Sequence, residues 1–289
     1  MSNPELLFNK IVIVGAGTMG RGIAQVCAMA GYTTILNDLS EDTLTTAHKQ
    51  IVKNLAKGVE KGKVSIETQQ KALSNLSLSQ DLVGSIDNAD MVIEAVPEIM
   101  DLKKKLLNTI DEHSPEHCII GTNTSSLSIE DLAESTSDAS RVIGMHFFNP
   151  VHIMQLLEIV YVPNLTGNDV IAATEDLAKS IDKTSILVKN SPGFATSRLG
   201  IALGMEAIRM LEEGVASAED IDTAMVLGYK HPIGPLKLTD LVGLDVRMNI
   251  GTYLAEQLNN PAFEPPRLLN SLVDQGKLGK KSGEGFYRW

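Results

Sequence analysis

The pattern of hydrophobic and polar positions divides the chain into two parts. In the first part, short runs rich in β-branched residues alternate with segments of helical spacing. Such alternation is typical of an α/β protein with a doubly wound, mostly parallel sheet. The runs that predict strands are 10–14, 33–36, 91–96, 118–121, 141–148, 156–162 and 186–188. The segments that predict helices between them include 41–61, 102–110 and 170–181.

The second part begins near residue 191, after an Asn-Ser-Pro-Gly sequence. Between 194 and 272 there is almost no β-rich run, and Ile201, Met205 and Ile208 recur at helical spacing. Ser217 and Asp220 fit a capping box that opens a further helix. We therefore predict two domains, an α/β domain over 1–190 and an all-helical C-terminal domain over 191–289.

Composition and charge narrow the class of protein. Apolar residues make up 43% of the 289 residues and charged residues 21%, which argues against a disordered chain. The net charge of −11 disfavours nucleic acid as a partner, because nucleic-acid binders carry a basic domain or stripe. No apolar run approaches the ~20 residues of a membrane span, and the first residues lack the apolar core of a secretory signal. Cys27 and Cys118 lie in apolar runs and are interpreted as small buried side chains, so we expect a cytoplasmic protein.

A glycine-rich turn supplies the first chemical motif. Gly15, Gly17 and Gly20 follow the first strand run and open a helical segment, as a dinucleotide-binding turn requires. In such a turn the first glycine allows the tight bend, the second admits a pyrophosphate, and the third lets the helix pack against the strand. The helix N-terminus then offers N–H groups to the phosphates. The cofactor-binding residues predicted here are Gly15, Ala16, Gly17, Thr18, Met19 and Gly20.

Asp38 supports the same interpretation. It stands 18 residues after Gly20, at the end of the second strand run, where a carboxylate hydrogen-bonds the ribose hydroxyls of a dinucleotide. A carboxylate at this place repels the 2′-phosphate of NADP, and no arginine follows it, so the sequence favours NAD. The alternative is a glycine-rich turn without a nucleotide, which the combination of features disfavours.

Among the six histidines, His146 fits an acid–base role. It ends a strand run, and open α/β sheets bind ligands at the carboxyl ends of their strands. If the chain folds back near His152, His146 faces Glu158 in the next run, and a carboxylate behind an imidazole raises its basicity. A core histidine beside an unrelated acid remains open as the alternative. Another histidine pair has a metal-binding spacing, but the proline between its members breaks the required helix, so we expect no metal site.

Longer stretches carry a resemblance to a known family. They are GAGTMGRGIAQVCAMAGY at 15–32, TNTSSL at 122–127, GMHFFNPV at 144–151, SPGF at 191–194 and GKKSGEGFY at 279–287. With these stretches in order over nearly the whole chain, the sequence resembles the L-3-hydroxyacyl-CoA dehydrogenase family, especially its bacterial 3-hydroxybutyryl-CoA branch. The resemblance implies a Rossmann-type NAD-binding domain, a helical domain that forms a homodimer and contributes to substrate binding, and NAD-linked oxidation of a 3-hydroxyacyl-CoA.

The resemblance also implies roles for single residues. His146 is expected to be the catalytic base and Glu158 its orienting partner, while Ser125 is expected to hydrogen-bond the 3-oxygen of the substrate. The alternative for Ser125 is a helix cap, although Ser128 fits that role better. Further cofactor contacts implied by the family pattern fall on Glu98, Lys103, Asn149 and Lys281, and a solvated tail lysine is the alternative for the last of these.

One position departs from the family pattern. Ser197 stands where the family places an active-site asparagine after its Pro-Gly-Phe motif. Serine keeps one hydroxyl but lacks the amide, so a bridging water is expected to replace direct contact. Ser197 is retained as a predicted catalytic-site residue.

A stripe of lysines gives the acidic chain a local positive site. Lys49, Lys53, Lys57 and Lys61 recur every four residues, and like charges at this spacing disfavour a helix by roughly 0.2–0.5 kcal/mol per pair. An anion offsets that repulsion, and the resemblance places the coenzyme A phosphates here, with Asn54 and Lys61 as substrate contacts. A solvated helix face is the alternative.

The expected function is therefore NAD-dependent oxidation of a (3S)-3-hydroxyacyl-CoA, with 3-hydroxybutyryl-CoA as the favoured substrate. Two alternatives remain. One is a related dehydrogenase for another substrate, such as 3-hydroxyadipyl-CoA. The other is a non-catalytic, crystallin-like protein that binds NAD without turnover.

Overall fold

The computed structural model describes residues 8–289, and the chain divides into two compact units. The first unit ends at Asn190, and the second spans Ser191–Trp289. Within 8–289, no helix combines the length and the apolar content that crossing a bilayer requires. Both cysteines are buried and unpaired with each other, which confirms their interpretation as small core side chains. Burial raises the pKa of the Cys118 thiol to about 11, so it is a neutral thiol at neutral pH.

An eight-stranded sheet with the order β3-β2-β1-β4-β5-β6-β7-β8 forms the first unit over residues 8–190, and this confirms the predicted fold class. The strands are β1 Lys10–Val14, β2 Thr33–Asn37, β3 Leu76–Ser79, β4 Met91–Glu94, β5 Ile119–Thr122, β6 Val142–Phe147, β7 Leu156–Tyr161 and β8 Thr184–Lys189. The helices are α1 Thr18–Ala30, α2 Glu41–Glu60, α3 Ile66–Asn75, α4 Leu82–Ile86, α5 Met100–His113, α6 Ile129–Ala133 and α7 Asn168–Ser180.

The sheet topology places the ends of several strands at one edge. Neighbouring strands run parallel from β3 through β1 to β6. The order reverses between β1 and β4, and such a switch point creates a crevice at the carboxyl ends of the strands. The pair β6–β7 is antiparallel, which confirms that the chain folds back in the turn around His152.

Most predicted elements are present, with two corrections. Arg141 does not begin a strand, because it closes a 3₁₀ turn and β6 starts at Val142. The short strand β3 was not predicted, because its sequence LSLS is only partly apolar and its side chains are not fully buried. It lies at the edge of the sheet, where one side has no strand to pair with.

The core of the first unit lies between the sheet and its helices. Ile11 and Ile13 of β1 pack with Ile23 and Cys27 of α1 and with Ile51 of α2 in one buried cluster. The helix α2 continues through Gly58, which a helix propensity alone disfavours. A Cβ on Gly58 would lie 2.7 Å from the Val64 side chain, so the glycine allows that close contact.

Helices build the second unit. They are α8 Thr196–Glu212, α9 Ala218–Thr223, α10 Pro235–Val242, α11 Leu244–Leu258 and α12 Arg267–Asp274, with a π-helical turn at Ala224–Gly228. The predicted capping box opens α9, because Ser217 Oγ accepts the backbone N–H of Asp220 at 3.1 Å. The predicted helical spacing is confirmed in α8, whose Ile201, Met205 and Ile208 belong to the buried cluster of this unit.

Candidate active site

The glycine-rich turn connects β1 to α1 as the sequence predicts. Gly15 has a φ of +100°, and a Cβ there would lie 2.7 Å from the carbonyl oxygen of Ala95. A Cβ on Gly20 would lie 1.7 Å from the carbonyl oxygen of Gly15, which no side chain tolerates. Both positions therefore require glycine for the turn itself, whatever the turn binds.

Gly17 has a different reason to be glycine. A Cβ at this position would meet no atom within 4 Å, so the fold leaves open space in front of it. Gly17 caps α1 without a side-chain hydrogen bond, and the first turn of α1 carries no acidic residue. A cavity of about 320 Å³ opens here, and its lining includes Thr18 and Arg21. An open helix N-terminus beside a guanidinium fits the pyrophosphate of a dinucleotide.

Asp38 and Met19, two of the predicted cofactor residues, make contacts within the first unit. Asp38 follows β2, and its Oδ2 accepts the backbone N–H of Ala16 at 2.8 Å while Oδ1 accepts that of Ser40 at 3.0 Å. Each carboxylate oxygen can accept a second hydrogen bond, so Asp38 keeps capacity for ribose hydroxyls. Met19 packs against the hydrophobic core, which leaves its backbone as the part that faces the turn.

The pair of His146 and Glu158 lies at the antiparallel junction of β6 and β7. The two residues are direct partners in the strand register, and His146 Nδ1 is 2.6 Å from Glu158 Oε2. Glu158 is fully buried and His146 is 8% exposed. The Phe148 ring lies 4.4 Å from the imidazole, centroid to centroid. A buried carboxylate on Nδ1 fixes the ring orientation and directs Nε2 as the nitrogen available for proton transfer chemistry.

A buried ionic network lies behind the ends of β4 and β5. Lys103 Nζ contacts Glu94 Oε1 at 2.7 Å and Oε2 at 2.8 Å, and both side chains are fully buried. Thr122 donates to Glu94 Oε2 at 2.6 Å. Burial raises the pKa of Glu94 above its usual value, and the ammonium of Lys103 offsets only part of that effect. The predicted cofactor residue Lys103 is thus enclosed in protein, with Glu94 as its main partner.

Glu98 links Lys103 to Ser125. Lys103 Nζ is 3.3 Å from Glu98 Oε2, while Glu98 Oε1 accepts from Thr124 Oγ1 at 2.5 Å and from the Ser125 backbone at 2.9 Å. The Ser125 hydroxyl donates to the same oxygen at a longer 3.3 Å. Ser125 is therefore not a helix cap. Ser128 takes that role by accepting the backbone N–H of Asp131.

Other predicted residues lie at separate places in the fold. Asn149 follows β6 and is exposed. Asn54 of α2 is held between Gln50 and Gln25, and Lys49, Lys53, Lys57 and Lys61 are all exposed. In the second unit, Ser197 lies in the first turn of α8 and is half-buried. Lys281 Nζ pairs with Asp245 at 2.5 Å, so it is not simply a solvated tail lysine.

Two residues of the site were missed from the sequence. Glu94 ends the apolar run MVIE, and an acid at the end of a buried strand is a signal that sequence reasoning used only for Asp38. Asn123 accepts the backbone N–H of Phe147 at 3.1 Å and so ties the loop after β5 to the end of β6. Its position directly before the Thr-Ser-Ser stretch gave no sign of that role.

Comparison with known proteins adds independent findings. Residues 10–191 match the family model for the 3-hydroxyacyl-CoA dehydrogenase NAD binding domain. Residues 193–289 match the model for the 3-hydroxyacyl-CoA dehydrogenase C-terminal domain.

Whole-chain relatives agree with these matches. A probable 3-hydroxybutyryl-CoA dehydrogenase of Bacillus subtilis is 42% identical over 282 residues, covering 96% of each chain. The mitochondrial hydroxyacyl-coenzyme A dehydrogenase of Sus scrofa is 40% identical over 294 residues, covering 100% of this chain and 93% of the relative. The crystal structure of (S)-3-hydroxybutyryl-CoA dehydrogenase from Ralstonia eutropha superposes with a TM-score of 0.94 at 41% identity, covering 98% of this chain and 99% of the other.

Proposed function

Because the chain belongs to the 3-hydroxyacyl-CoA dehydrogenase family, we propose that it oxidises a (3S)-3-hydroxyacyl-CoA, with 3-hydroxybutyryl-CoA as the favoured substrate. The product is the 3-oxoacyl-CoA, and the reverse reaction uses the same site. The observation that carries the proposal is the hydrogen bond between His146 Nδ1 and the buried Glu158 at 2.6 Å. It gives the chain an oriented imidazole at the end of a strand, as oxidation of an alcohol requires.

The imidazole and its carboxylate perform the proton transfer. His146 Nε2 accepts the proton of the 3-hydroxyl group, and the imidazolium that forms is stabilised by Glu158 through Nδ1–H. A bound NAD⁺ would supply the acceptor for the hydride that leaves C3 of the substrate. In the reverse direction, protonated His146 donates to the 3-oxygen. Glu158 is fully buried, so its charge acts on the imidazole with little screening by water.

Ser125 is proposed to steady the developing charge on the 3-oxygen. Its hydroxyl makes only a long 3.3 Å bond to Glu98, so a substrate oxygen can compete for that proton. The backbone of Ser125 is held more firmly, at 2.9 Å from the same carboxylate. Lys103 in turn positions Glu98, and the serine is thus supported from the buried network.

The chain uses NAD, and we propose which residues hold it. The open helix N-terminus at Gly17 and the guanidinium of Arg21 fit the pyrophosphate, and Asp38 fits the adenosine ribose. Glu98 and Lys103 are proposed to support the nicotinamide end, the lysine through its carboxylate partners. The remaining proposed contacts are Gly15, Ala16, Thr18, Met19, Gly20, Asn149 and Lys281.

The coenzyme A part of the substrate is proposed to bind along α2. Lys49, Lys53 and Lys57 are exposed on this helix, and Lys61 caps its end. No ion pair involves these four lysines within 8–289, so their charge remains for phosphate groups. Asn54 and Lys61 are proposed as the substrate contacts of this surface.

We also propose a cytoplasmic homodimer formed through the helical unit. That unit exposes large apolar side chains, with Leu199 71%, Leu227 75% and Tyr229 76% exposed. Apolar side chains of this size on a surface favour association with another protein surface. Size-exclusion chromatography with light scattering would test it, and a monomer at micromolar concentration would contradict it.

The catalytic assignment is tested by His146→Gln. We expect kcat for NADH-linked reduction of acetoacetyl-CoA to fall by about 10²–10⁴, the usual contribution of a positioned acid–base group. NADH affinity, measured by fluorescence titration, should change little. His152→Gln is the matched control, because His152 lies in the turn between β6 and β7 and is not part of the pair. Near-normal turnover in His146→Gln would remove this histidine from the mechanism.

The cofactor assignment is tested by Asp38→Ser. Loss of the carboxylate should improve the use of NADP relative to NAD, because a repulsive charge near the 2′-position is removed. NAD affinity should fall as well, since Asp38 also accepts the backbone N–H of Ala16 in the turn. The measurement is kcat/KM for both cofactors. A wild-type enzyme that already prefers NADPH would show that Asp38 is assigned wrongly.

A further inference from the structure

Lys183 is a buried cation of the first unit that the proposed reaction does not use. It stands directly before β8 and is 8% exposed. Its Nζ donates to the carbonyl oxygens of Val151 at 2.7 Å and Met154 at 2.8 Å. A lysine is rarely buried unless acceptors replace the water that its ammonium loses. Here the acceptors belong to the turn between β6 and β7, so the lysine ties that turn to the start of β8.

The turn, residues 148–155, has little side-chain packing of its own. Val151 is buried, but the four residues that follow it are exposed. A cavity of about 320 Å³ lies against the turn, and its lining includes His152, Ile153 and Lys183. A cavity provides no packing contacts for the side chains that face it. The turn therefore depends on hydrogen bonds to its backbone more than on buried side chains.

Val151, the buried residue of the turn, packs against α1. A Cβ on Gly22 of α1 would lie 2.8 Å from the Cβ of Val151, so the glycine permits this close contact. The carbonyl oxygen of the same valine accepts from Lys183. Val151 is thus held on its side chain by α1 and on its backbone by the ammonium. Loss of the ammonium would leave only the side-chain contact to fix its position.

The first residues of the turn belong to the proposed site. The ring of Phe148 lies 4.4 Å from the imidazole of His146, centroid to centroid. Asn149, the next residue, is a proposed cofactor contact. Both residues precede Val151 by three positions or fewer. A displacement of the Val151 backbone is therefore transmitted to them through a short length of chain.

We propose that Lys183 is a positioning residue for the dehydrogenase reaction, whose ammonium holds the backbone of the turn and so sets the positions of Phe148 and Asn149. This inference rests on the proposed function. The antiparallel pairing of β6 and β7 holds His146 opposite Glu158. Lys183 therefore acts on the residues beside the acid–base pair and does not itself touch the reacting atoms.

The charge of Lys183 can be removed by raising the pH. Burial lowers the pKa of Lys183 below its ordinary value of 10.5, and the charge of Asp182 offsets part of that effect. Cys27 of α1 and His152 of the turn are the other titratable groups coupled to it. Burial raises the pKa of the Cys27 thiol to about 12. Burial, together with the charge of Lys183, lowers the pKa of His152 below 6.5. Neither group therefore changes its charge between pH 8 and 10.

The primary test is Lys183→Met, assayed by oxidation of (S)-3-hydroxybutyryl-CoA with NAD⁺ at pH 8. We expect kcat to fall about 10- to 100-fold, because small displacements of the groups around reacting atoms cost this much. KM for the CoA substrate should change little, since its proposed contacts lie on α2. Lys179→Met is the matched control, because that lysine is exposed and pairs with Asp176. A lysine that only stabilised the fold would lower Tm when replaced and leave kcat unchanged.

The pH profile of the wild-type enzyme tests the charge itself. In the oxidation direction His146 must be neutral, so raising the pH favours its reactive form. A fall in kcat at still higher pH therefore has another cause. We expect such a reversible fall below pH 10.5, as Lys183 loses its proton, and we expect it to be absent in Lys183→Met. An alkaline fall that is the same in both proteins would contradict the role of the ammonium.

Hydrogen exchange of the turn gives a readout that does not depend on the reaction. The amides of Ile153 and Met154 donate to the carbonyl oxygen of Pro150 within the turn. In Lys183→Met we expect them to exchange about tenfold faster or more at pH 7, while the amides of β6 and β7 keep their wild-type rates. An equal increase throughout the first unit would show a general loss of stability and contradict a positioning role.

The outcomes are distinct. A wild-type kcat in Lys183→Met would overturn the assignment of Lys183 and leave the proposed function intact. If the variant does not fold, the wild-type pH profile decides, and the absence of a fall in kcat below pH 10.5 would overturn the assignment. A wild-type enzyme that does not oxidise 3-hydroxybutyryl-CoA would overturn the proposed function. The exchange measurement would then still show whether Lys183 holds the turn.

Discussion

Two buried arginines, one in each unit, are treated in opposite ways by the fold. Arg141 is 6% exposed and Arg247 is 8% exposed, so both are almost completely removed from water. Arg141 donates from Nε and Nη2 to Asp111 Oδ1, at 3.2 and 2.7 Å, and from Nη1 to the Pro115 carbonyl at 2.7 Å. Within 8–289, Arg247 Nε is buried without a hydrogen-bond partner.

The difference separates a buried charge whose hydrogen bonds are satisfied from one whose Nε is left unpaired. A guanidinium whose hydrogen bonds are satisfied inside the protein has its desolvation cost offset. The buried carboxylates of the first unit follow the first pattern, since Glu94 pairs with Lys103 and Glu158 with His146. The comparison predicts that replacing Arg141 lowers the free energy of unfolding more than replacing Arg247 does.

The largest expected effect is on stability, from Arg141→Met. Removing the guanidinium leaves Asp111 as a buried carboxylate without its main partner, which costs about 3–5 kcal/mol. Urea denaturation followed by circular dichroism measures the free energy of unfolding. Lys179→Met is the control, because its pair with Asp176 is exposed to water and exposed pairs contribute little to stability. A loss in Arg141→Met no larger than in this control would break the comparison.

An intermediate effect is expected on catalysis, from Ser197→Ala. If the Ser197 hydroxyl contacts the substrate, its removal leaves a polar group unpaired and costs roughly 1–3 kcal/mol, measured as reduced kcat/KM. If Ser197 only fills space on α8, alanine should be nearly silent, since it is the best helix former. Unchanged kcat and KM with unchanged Tm would remove Ser197 from the site.

The smallest expected effect is on the pH dependence of stability. Burial alone raises the pKa of Asp111, but hydrogen bonds from Arg141 and Ser137 lower it more, to below its ordinary value of 3.8. A lowered pKa in the folded state means that Asp111 stabilises the protein above pH 3.8 and loses this contribution as the pH falls further.

Asp111→Asn tests the direction of this pKa shift. The difference in unfolding free energy between wild type and variant should be constant between pH 5 and 7 and shrink below about pH 4, by at most about 1.4 kcal/mol per pH unit. Asp176→Asn, at an exposed pair, is the control. A difference that grows as the pH falls would show that the pKa of Asp111 is raised instead.

The sequence predicts most of the first unit because its signals are local. A few residues of a buried β-branched run such as 10–14 are enough to predict a strand. The turn that follows requires glycine at 15 and 20. The pairing of His146 with Glu158 was predictable because a tight fold-back places residues equidistant from the turn opposite each other. The edge strand β3 lacks such a signal, since half of its residues are polar.

What the sequence did not predict depends on contacts between distant segments. The resemblance assigns Lys103 to the cofactor site, but it does not show that the Lys103 Nζ is enclosed by Glu94 and Glu98. Arg247 likewise lies in a helix of mixed composition, and its burial depends on how α8 packs against α11. A single sequence contains no local pattern for such packing, so the burial of these two side chains could be seen only in the structure.

The strand register around the catalytic pair has a consequence for how the enzyme can diversify. His146 and Glu158 are held opposite each other by the antiparallel pairing of β6 and β7. Changes within 148–155 that preserve this register can therefore alter the turn while the acid–base pair stays aligned. A one-residue slip within either strand would instead turn one partner to the opposite face of the sheet and separate the pair. Sequence changes in this region are therefore better tolerated in the turn than within β6 or β7.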